Sequence, residues 1–235
     1  LRNCALEPEI NDLVNFLKKI GCKIKKVGKR SINIIGEKKL KSAVHKIIPD
    51  RIEAGTYIIA AALTKGRLKI NNIDPKIISN EINILKKMGV KIIKKNTSII
   101  VNSSSKLKKI NVTTKPYPGF PTDLQAQIMV LMIRAEGVST IKENIFENRF
   151  MHVSELRRMG AKIEINNNKA TVFGKSELNG AELMATDLRA SVSLVLAGLV
   201  SSSKTIVNRI YHLDRGYENI EKKLSKCGAK IKRLQ

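Results

Sequence analysis

The sequence has no tryptophan, only 4% aromatic residues and only three cysteines in 235 residues, and each scarcity excludes a class of protein. So few aromatic rings cannot build the stacking platforms on which single-stranded nucleic acids bind. The cysteines, Cys4, Cys22 and Cys227, are odd in number and scattered, so they form no disulfide framework and favour a reducing, cytoplasmic location. No pair of cysteines or histidines has the spacing of zinc ligands, so we expect no metal site.

Long apolar runs are also missing from the sequence. No run approaches the ~18 residues that a membrane-spanning helix needs, and the acidic, polar N-terminus does not resemble a signal peptide. We therefore expect no membrane partner. The length is nevertheless sufficient for a buried core, and it predicts one or two domains.

Basic residues are abundant: 44 lysines and arginines stand against 20 aspartates and glutamates, which gives a net charge of +24. Such a balance can mark a nucleic-acid-binding protein. Most of the lysines, however, fall on predicted solvent faces of helices and in hairpins, as Lys86, Lys87, Lys94 and Lys95 do. We therefore expect a basic cleft for an anionic small molecule and no nucleic-acid partner. A steep salt dependence of binding to unrelated oligonucleotides would favour the opposite interpretation.

The chain repeats one pattern about every seventy residues: leucine, two variable residues, an apolar residue, glycine, a small residue, lysine and isoleucine. The central glycines are Gly21, Gly89, Gly160 and Gly228, so the successive steps are 68, 71 and 68 residues. A fixed period of this length indicates a duplicated supersecondary unit.

One repeat is predicted to contain a strand, a helix, a second strand, a second helix and a two-stranded hairpin. Around Gly160 the predicted elements are strand 110–114, helix 123–135, strand 137–141, helix 149–159 and hairpin strands 161–165 and 170–173. The same order fits residues 49–101 and 184–233, whereas residues 1–45 hold only the second half of a repeat. The prediction is an α/β fold of three complete βαβαββ units and half of a fourth, and we interpret the half unit as the start of a truncated chain.

An aspartate begins the first helix of each predicted unit. These aspartates are Asp50, Asp123 and Asp187. Aspartate is a favoured N-cap, so capping alone is one explanation for all three. The other is that equivalent helix starts converge on one cleft, where they would favour phosphates and carboxylates. Arg51, Arg189 and Arg215 lie near these helix starts or near an equivalent loop, and a guanidinium can grip such anions with two hydrogen bonds.

Two loops, 143–152 and 209–218, mix charged and aromatic residues where a repeat needs only a short connection. They occupy equivalent places in successive repeats. Each is either a salt-bridged connection or a loop that faces a ligand, and we favour the second interpretation.

Together these segments resemble the UDP-N-acetylglucosamine enolpyruvyl transferases (1-carboxyvinyltransferases). The motifs that carry the resemblance are 49–56 (PDRIEAGT), 118–127 (PGFPTDLQAQ), 146–151 (FENRFM), 185–191 (ATDLRAS) and 211–218 (YHLDRGYE). They follow one another in order along the chain. The resemblance implies an inside-out α/β barrel of two lobes, each made of three βαβαββ units. Residues 46–235 would form most of the lobe with the catalytic aspartate, and residues 1–45 the tail of the other lobe.

The resemblance also implies a reaction. The enolpyruvyl group of phosphoenolpyruvate would move to the 3-hydroxyl of UDP-N-acetylglucosamine by addition and elimination, with release of phosphate, at the start of peptidoglycan synthesis. Asp123 matches the base of the family, and Asp187 matches a carboxylate near the reacting carbon. The family's acid, a cysteine on a mobile loop, would precede Leu1, so a separate N-terminal polypeptide carrying that loop is a possible partner.

The substrate-binding residues are likewise implied by the resemblance. They are Asp123, Ile145, Phe146, Arg189 and Arg215. The arginines would hold the anionic phosphoenolpyruvate, and the backbone at Ile145, with Phe146 beside it, would contact the sugar nucleotide. No metal or organic cofactor is implied.

Two alternatives of other kinds stay open at this point. A 5-enolpyruvylshikimate-3-phosphate synthase would share the fold, although the motifs at 146–149 and 214–218 argue against it. An inactive fragment or binding module from a split or decayed gene would share the motifs and lack the activity.

Overall fold

Three helices that are apolar on nearly every side lie at the centre of the structure, a computed structural model that describes residues 1–103 and 106–234. The helices are α1 Pro8–Lys19, α2 Arg51–Leu63, α3 Ser79–Lys87, α4 Gln125–Arg134, α5 His152–Arg158, α6 Leu188–Gly198, α7 Tyr211–Asp214 and α8 Ile220–Lys226. Helices α2, α4 and α6 are buried along most of their length. A helix without a polar face must be covered on all sides, and the sheets and outer helices provide that cover.

The strands form four small sheets. They are β1 Lys23–Lys26, β2 Ile32–Ile35, β3 Arg67–Asn71, β4 Lys91–Lys94, β5 Ser98–Asn102, β6 Asn111–Thr113, β7 Val138–Lys142, β8 Lys162–Asn166, β9 Lys169–Phe173, β10 Glu182–Met184 and β11 Ile206–Asn208. The sheet orders are β1-β2, β3-β5-β4, β6-β7-β9-β8 and β10-β11. The pairs β1-β2, β4-β5 and β8-β9 are antiparallel, while β6-β7 and β10-β11 are parallel.

The unit around Gly160 confirms the predicted βαβαββ order. Strand β6 runs parallel to β7, and β9 pairs antiparallel with both β7 and β8. Two boundaries differ from the prediction. The helix expected from residue 123 begins with a 3₁₀ turn, Thr122–Leu124, before α4. The helix expected from residue 149 begins only at His152, because residues 147–151 form a turn that enters it from Asn148 with a φ of +54°.

The neighbouring units are less complete than predicted. No strand lies between β2 and α2. Residues 41–45 contact α1 instead: Lys41 N–H donates to the Ile20 carbonyl (2.7 Å), and His45 Nε2 lies 2.9 Å from Asp12 Oδ1. After Gly228 the described residues 229–234 form no strand. The expectation of three complete units is therefore corrected to one complete four-stranded unit with partial units on either side.

The repeated glycines stop helices as expected. Gly21, Gly89, Gly160 and Gly228 have φ values of +105°, +96°, +99° and +96°, a region that favours glycine. A hairpin follows each of the first three. The repeat of the sequence is thus a repeat of structure at the helix ends.

The first 35 residues have a small core of their own, made by Val14, Ile24 and Ile32. Arg51 ties this part to the rest of the molecule. Its Nε donates to Glu9 Oε1 on α1 (2.9 Å), and its Nη1 lies 3.4 Å from the buried Glu81 Oε1 on α3. None of the helices in the described residues is long and apolar enough to cross a membrane.

Candidate active site

A cleft of about 620 Å³ lies between α1 and the starts of the buried helices α2 and α6. Its lining residues are Ala5, Glu7, Glu9, Ile10, Asp12, Ile47, Ile48, Pro49, Asp50, Arg51, Ile52, Asp123 and Arg189. Helix starts do meet at one cleft, as the repeats predicted. The lining is mixed in charge, however, rather than basic, because Glu7, Glu9 and Asp12 contribute to it and Glu9 pairs with Arg51.

Asp123 lies in the 3₁₀ turn before α4, and two arginines hold its carboxylate. Arg149 Nη2 donates to Oδ1 (2.9 Å), and Arg189 Nη2 lies 3.1 Å from Oδ2. The Asp123 side chain is 38% exposed, so solvent reaches it. No side chain caps the start of α4, so the capping explanation is wrong for Asp123. Its carboxylate is directed to charged partners instead of to the helix backbone.

Asp187 and Asp50 are N-caps. Asp187 Oδ1 accepts hydrogen bonds from the backbone N–H groups of Arg189 (2.7 Å) and Ala190 (2.9 Å). Asp50 Oδ1 accepts in the same way at the start of α2, at 2.7 and 3.0 Å. Through its cap, Asp187 fixes the first turn of α6 and therefore the backbone from which Arg189 extends.

A buried network orients Arg189 toward Asp123. Burial acts to lower the pKa of Arg189, but the carboxylate of Asp123 and the hydroxyl of Tyr217 outweigh burial and raise that pKa. Tyr217 is 1% exposed, and its hydroxyl lies 2.9 Å from Thr56 Oγ1 on α2. Gln127 Nε2 on α4 donates to the Asp123 carbonyl (2.9 Å) and lies 3.4 Å from the Tyr217 hydroxyl. The three buried helices thus share one polar network behind the carboxylate.

The loop after β7 presents Ile145 and Phe146 to solvent, at 41% and 59% exposure. The buried carboxylate of Glu143 accepts hydrogen bonds from their backbone N–H groups at 2.8 and 3.1 Å. The guanidinium of Arg149 lies 5.0 Å from the centre of the Phe146 ring, a cation–π contact. Because Arg149 also bonds Asp123, the predicted loop residues and the predicted base are joined through one side chain.

Arg215, also predicted to bind substrate, does not join the contacts around Asp123. It is exposed at the C-terminal end of α7 and makes no ion pair with Asp123 in the part of the chain that the structure describes. Its neighbour Gly216 packs against the start of α6, where an added Cβ would meet Leu188 Cδ2 at 2.9 Å. The turn with Arg215 therefore lies beside the helix start that carries Arg189.

Sequence reasoning missed three residues of this site: Arg149, Glu143 and Tyr217. Arg149 and Tyr217 stand inside the motifs at 146–151 and 211–218, so a signal for them was present. Glu143 directly follows strand β7, and nothing in the sequence around it indicates that its carboxylate is buried.

His152 is a further buried group at the edge of the site. It is 2% exposed, and its Nε2 has no partner among the described residues. Burial lowers the pKa of His152 to about 4, while the charge of Asp187 acts in the opposite direction. The imidazole is therefore neutral near pH 7.

Nothing in the described residues is arranged as a metal site, since no group of three or more histidine, cysteine, aspartate or glutamate side chains is close enough to hold an ion. A second hollow of about 530 Å³ lies beside the four-stranded sheet and is lined by residues such as Asn111, Thr140 and Asn167. It contains none of the predicted site residues, so the cleft with Asp123 is the better candidate.

Comparison with known proteins identifies the family of the chain. Residues 1–224 match the family described as EPSP synthase (3-phosphoshikimate 1-carboxyvinyltransferase). The UDP-N-acetylglucosamine 1-carboxyvinyltransferases of Pelagibacter ubique (strain HTCC1062) and Rickettsia bellii (strain OSU 85-389) are 64% and 55% identical to the chain over 234 residues. The matches cover all of this chain and 56% of each relative, so the chain spans just over half the length of these relatives.

Solved structures give the same result for the fold. The enolpyruvyl transferase NikO from Streptomyces tendae superposes with a TM-score of 0.91 at 30% identity, over 99% of this chain and 56% of that one. An EPSP synthase from Acinetobacter baumannii superposes with a TM-score of 0.74 at 20% identity, over 94% of this chain and 55% of that one, which shows the fold alone. The predicted fold class is confirmed, and the chain belongs to the EPSP synthase family.

Proposed function

We propose that this chain forms the catalytic-aspartate part of a UDP-N-acetylglucosamine 1-carboxyvinyltransferase, which transfers the enolpyruvyl group of phosphoenolpyruvate to the sugar 3-hydroxyl. Relatives that carry this name are 55–64% identical along the whole chain. The compared EPSP synthase is only 20% identical. This contrast favours the sugar nucleotide over shikimate 3-phosphate as the acceptor.

The observation that carries the proposal is the Asp123 carboxylate, held between Arg149 and Arg189 at the edge of the cleft. In the addition step the sugar oxygen bonds to C2 of phosphoenolpyruvate, Asp123 takes the hydroxyl proton, and C3 gains a proton from an acid. In the elimination step C3 loses a proton, the bond from C2 to the phosphate oxygen breaks, and the double bond forms again. A carboxylate can serve as the base when it lies within hydrogen-bond reach in a site that excludes water.

The two arginines give this site its preference for anions. Both guanidiniums already grip a carboxylate, that of Asp123, with distances of 2.9 and 3.1 Å. The carboxylate and the phosphate of phosphoenolpyruvate each offer paired anionic oxygens that a guanidinium can bind. Arg215, exposed beside the start of α6, is the third cation that we assign to this substrate.

The sugar nucleotide is assigned to the loop with Ile145 and Phe146. Both side chains are exposed, and both backbone N–H groups are fixed by Glu143. A fixed loop loses little conformational entropy when it binds a ligand. The exposed Phe146 ring beside Arg149 offers an apolar surface next to a charge.

We further propose that residues 46–235 belong to the lobe with the aspartate and that residues 1–45 are the tail of a second lobe, with the cleft between them. The separate small core of the first 35 residues and the extended segment that follows support this division. We expect no turnover by the 235-residue chain alone, because general acid catalysis commonly contributes ~10²–10⁴-fold and the family's acid is a cysteine loop outside these residues. A separate polypeptide with that loop is the partner that could restore activity.

The test is a chimera in which this chain replaces the matching 56% of the Pelagibacter ubique relative. Phosphate release from phosphoenolpyruvate is measured with UDP-N-acetylglucosamine and, separately, with shikimate 3-phosphate. We expect release with the sugar nucleotide only. Release with shikimate 3-phosphate alone would assign the chain to the other transferase, and a folded chimera that is inactive with both would leave only the binding-module alternative.

A further inference from the structure

The carboxylate of Glu143 is buried, at 3% exposure, and all four of its hydrogen-bond donors are neutral. Oε1 accepts from Thr114 Oγ1 (2.7 Å) and from the backbone N–H groups of Ile145 (2.8 Å) and Phe146 (3.1 Å). Oε2 accepts from Thr122 Oγ1 at 2.9 Å. Burying a carboxylate is costly unless such bonds satisfy it, and here four donors do so.

The two oxygens of Glu143 serve different elements. Oε1 holds the loop after β7, which presents Ile145 and Phe146. Oε2 holds Thr122, the residue directly before Asp123 in the 3₁₀ turn. One rigid group therefore sets the separation between the loop and the base.

The neighbouring unit has no carboxylate at the corresponding place. The pair Val138–Phe173 in the four-stranded sheet corresponds to the pair Arg67–Asn102 in the three-stranded sheet, since each joins the start of one strand to the end of another. Counting five residues on from Val138 and Arg67 gives Glu143 and Asn72. Asn72 is exposed, and its sheet forms nevertheless. Among the residues that the structure describes, the three-stranded sheet has no strand equivalent to β6, so the contacts of Glu143 with Thr114 and Thr122 belong to the four-stranded unit.

We propose that Glu143 is a positioning residue that holds the loop at Ile145 and Phe146 at a fixed distance from Asp123. The inference rests on the proposed function, because it assigns the acceptor substrate to that loop and the base to Asp123. Glu143 touches neither substrate nor reacting atoms. A displacement of about 1 Å at a reacting group can cost ~10²-fold in rate, so the geometry that Glu143 sets bears directly on turnover.

Threonine substitutions separate the two oxygens. Thr122→Val removes the donor to Oε2 and leaves the loop bonds intact, whereas Thr122→Ser keeps the hydroxyl. Glu143→Ala removes every bond. Glu143→Gln can keep its oxygen toward the loop and donate its amide to Thr122 Oγ1, since a hydroxyl can donate or accept. We therefore expect Glu143→Gln and Thr122→Ser to behave like the unsubstituted protein.

The first measurement is amide hydrogen exchange in the 235-residue chain, which needs no activity. Loss of one net hydrogen bond corresponds to roughly five- to tenfold in an opening equilibrium. We expect exchange at Ile145 and Phe146 to rise by about that factor in Glu143→Ala and to stay unchanged in Thr122→Val and Glu143→Gln. Equal exchange in Glu143→Ala and the unsubstituted chain would overturn the proposed hold on the loop.

The second measurement is kinetic and uses the chimera. We expect Thr122→Val to lower kcat about tenfold or more with an unchanged KM for the sugar nucleotide, and Glu143→Ala to lower kcat and raise that KM. The matched control is Ser139→Ala, which removes a buried hydroxyl that accepts from Ile110 N–H (3.1 Å) in the same sheet. It should lower stability without changing kcat.

The two proposals fail in different ways. An inactive unsubstituted chimera would contradict the proposed function. An active chimera in which Thr122→Val and Glu143→Ala lose no more turnover than Ser139→Ala would contradict the positioning role of Glu143 alone.

Discussion

Equivalent aspartates lie at the starts of the buried helices α4 and α6. The one before α4 contacts arginine side chains, and the one before α6 contacts backbone N–H groups. Asp187 uses one oxygen to cap α6 through two backbone N–H groups, as Asp50 does on α2. Asp123, before α4, accepts from two arginine side chains and caps nothing. A 3₁₀ turn takes the place of the missing cap. The comparison shows that equivalent helix starts can be built in two ways: with an aspartate as the cap, or with a 3₁₀ turn that leaves the carboxylate to side-chain partners.

The largest effect that we expect on the free energy of unfolding comes from His152, at a third helix start near the site. His152 begins α5, and burial lowers its pKa to about 4 from an ordinary value of 6.5. The unfolded chain therefore binds the proton first as pH falls, so stability is full above about 6.5 and is lost toward pH 4, by about 3 kcal/mol in total. Urea unfolding at pH 7, 5.5 and 4.5 measures this loss.

The control for that experiment is the pair His152→Gln and His212→Gln. The first should flatten the pH dependence between 6.5 and 4, because the titrating group is gone. The second changes a partly exposed imidazole outside the core and should keep the original slope. If His152→Gln keeps the slope as well, His152 is not a buried neutral imidazole.

The N-cap role of Asp187 predicts a smaller effect on the free energy of unfolding. Asp187→Ala should lower the free energy of unfolding by ~1 kcal/mol, because two backbone N–H groups of α6 lose their acceptor. Asp187→Asn should cost little, since asparagine caps about as well. Asp50→Ala is the matched change at α2. Equal stabilities for the alanine and asparagine variants would show that the cap contributes nothing.

The smallest expected effect is the stability of Asp123→Ala. No helix N–H group depends on this side chain, and its two ion pairs are partly exposed. Partly exposed pairs contribute ~0–1 kcal/mol, and neither guanidinium is left without a partner, because Arg149 keeps its contact with the Phe146 ring and Arg189 keeps the Tyr217 hydroxyl. Chemical unfolding should therefore give a value within about 0.5 kcal/mol of the unsubstituted chain. A loss as large as that of Asp187→Ala would restore the capping explanation.

Much of the fold could be predicted from the sequence because the signals of the repeat are local ones. Glycines at 21, 89, 160 and 228 end helices because each adopts a positive φ. The alternation of apolar and polar residues along β8 and β9 predicts that these strands form a hairpin. The incomplete units were not predicted. Whether residues 41–45 join a sheet depends on contacts with α1 that no local pattern contains.

The site was predicted unevenly for the same reason. Asp123, Arg189 and the loop at Ile145 and Phe146 stand in motifs, and the structure joins them through Arg149. Capping by Asp187 was one of the two explanations that the sequence left open. The partners of Glu143 come from three separate segments, so only the folded chain reveals that its carboxylate is buried.

The central claim is that the Asp123 carboxylate is the base of an enolpyruvyl transfer, and its most direct test is the kcat of Asp123→Asn in the chimera. The amide keeps the size of the side chain but cannot accept a proton, so kcat should fall by ~10²-fold or more while the unfolding free energy stays unchanged. Turnover near that of the unsubstituted chimera would contradict the claim, and another group would have to be the base.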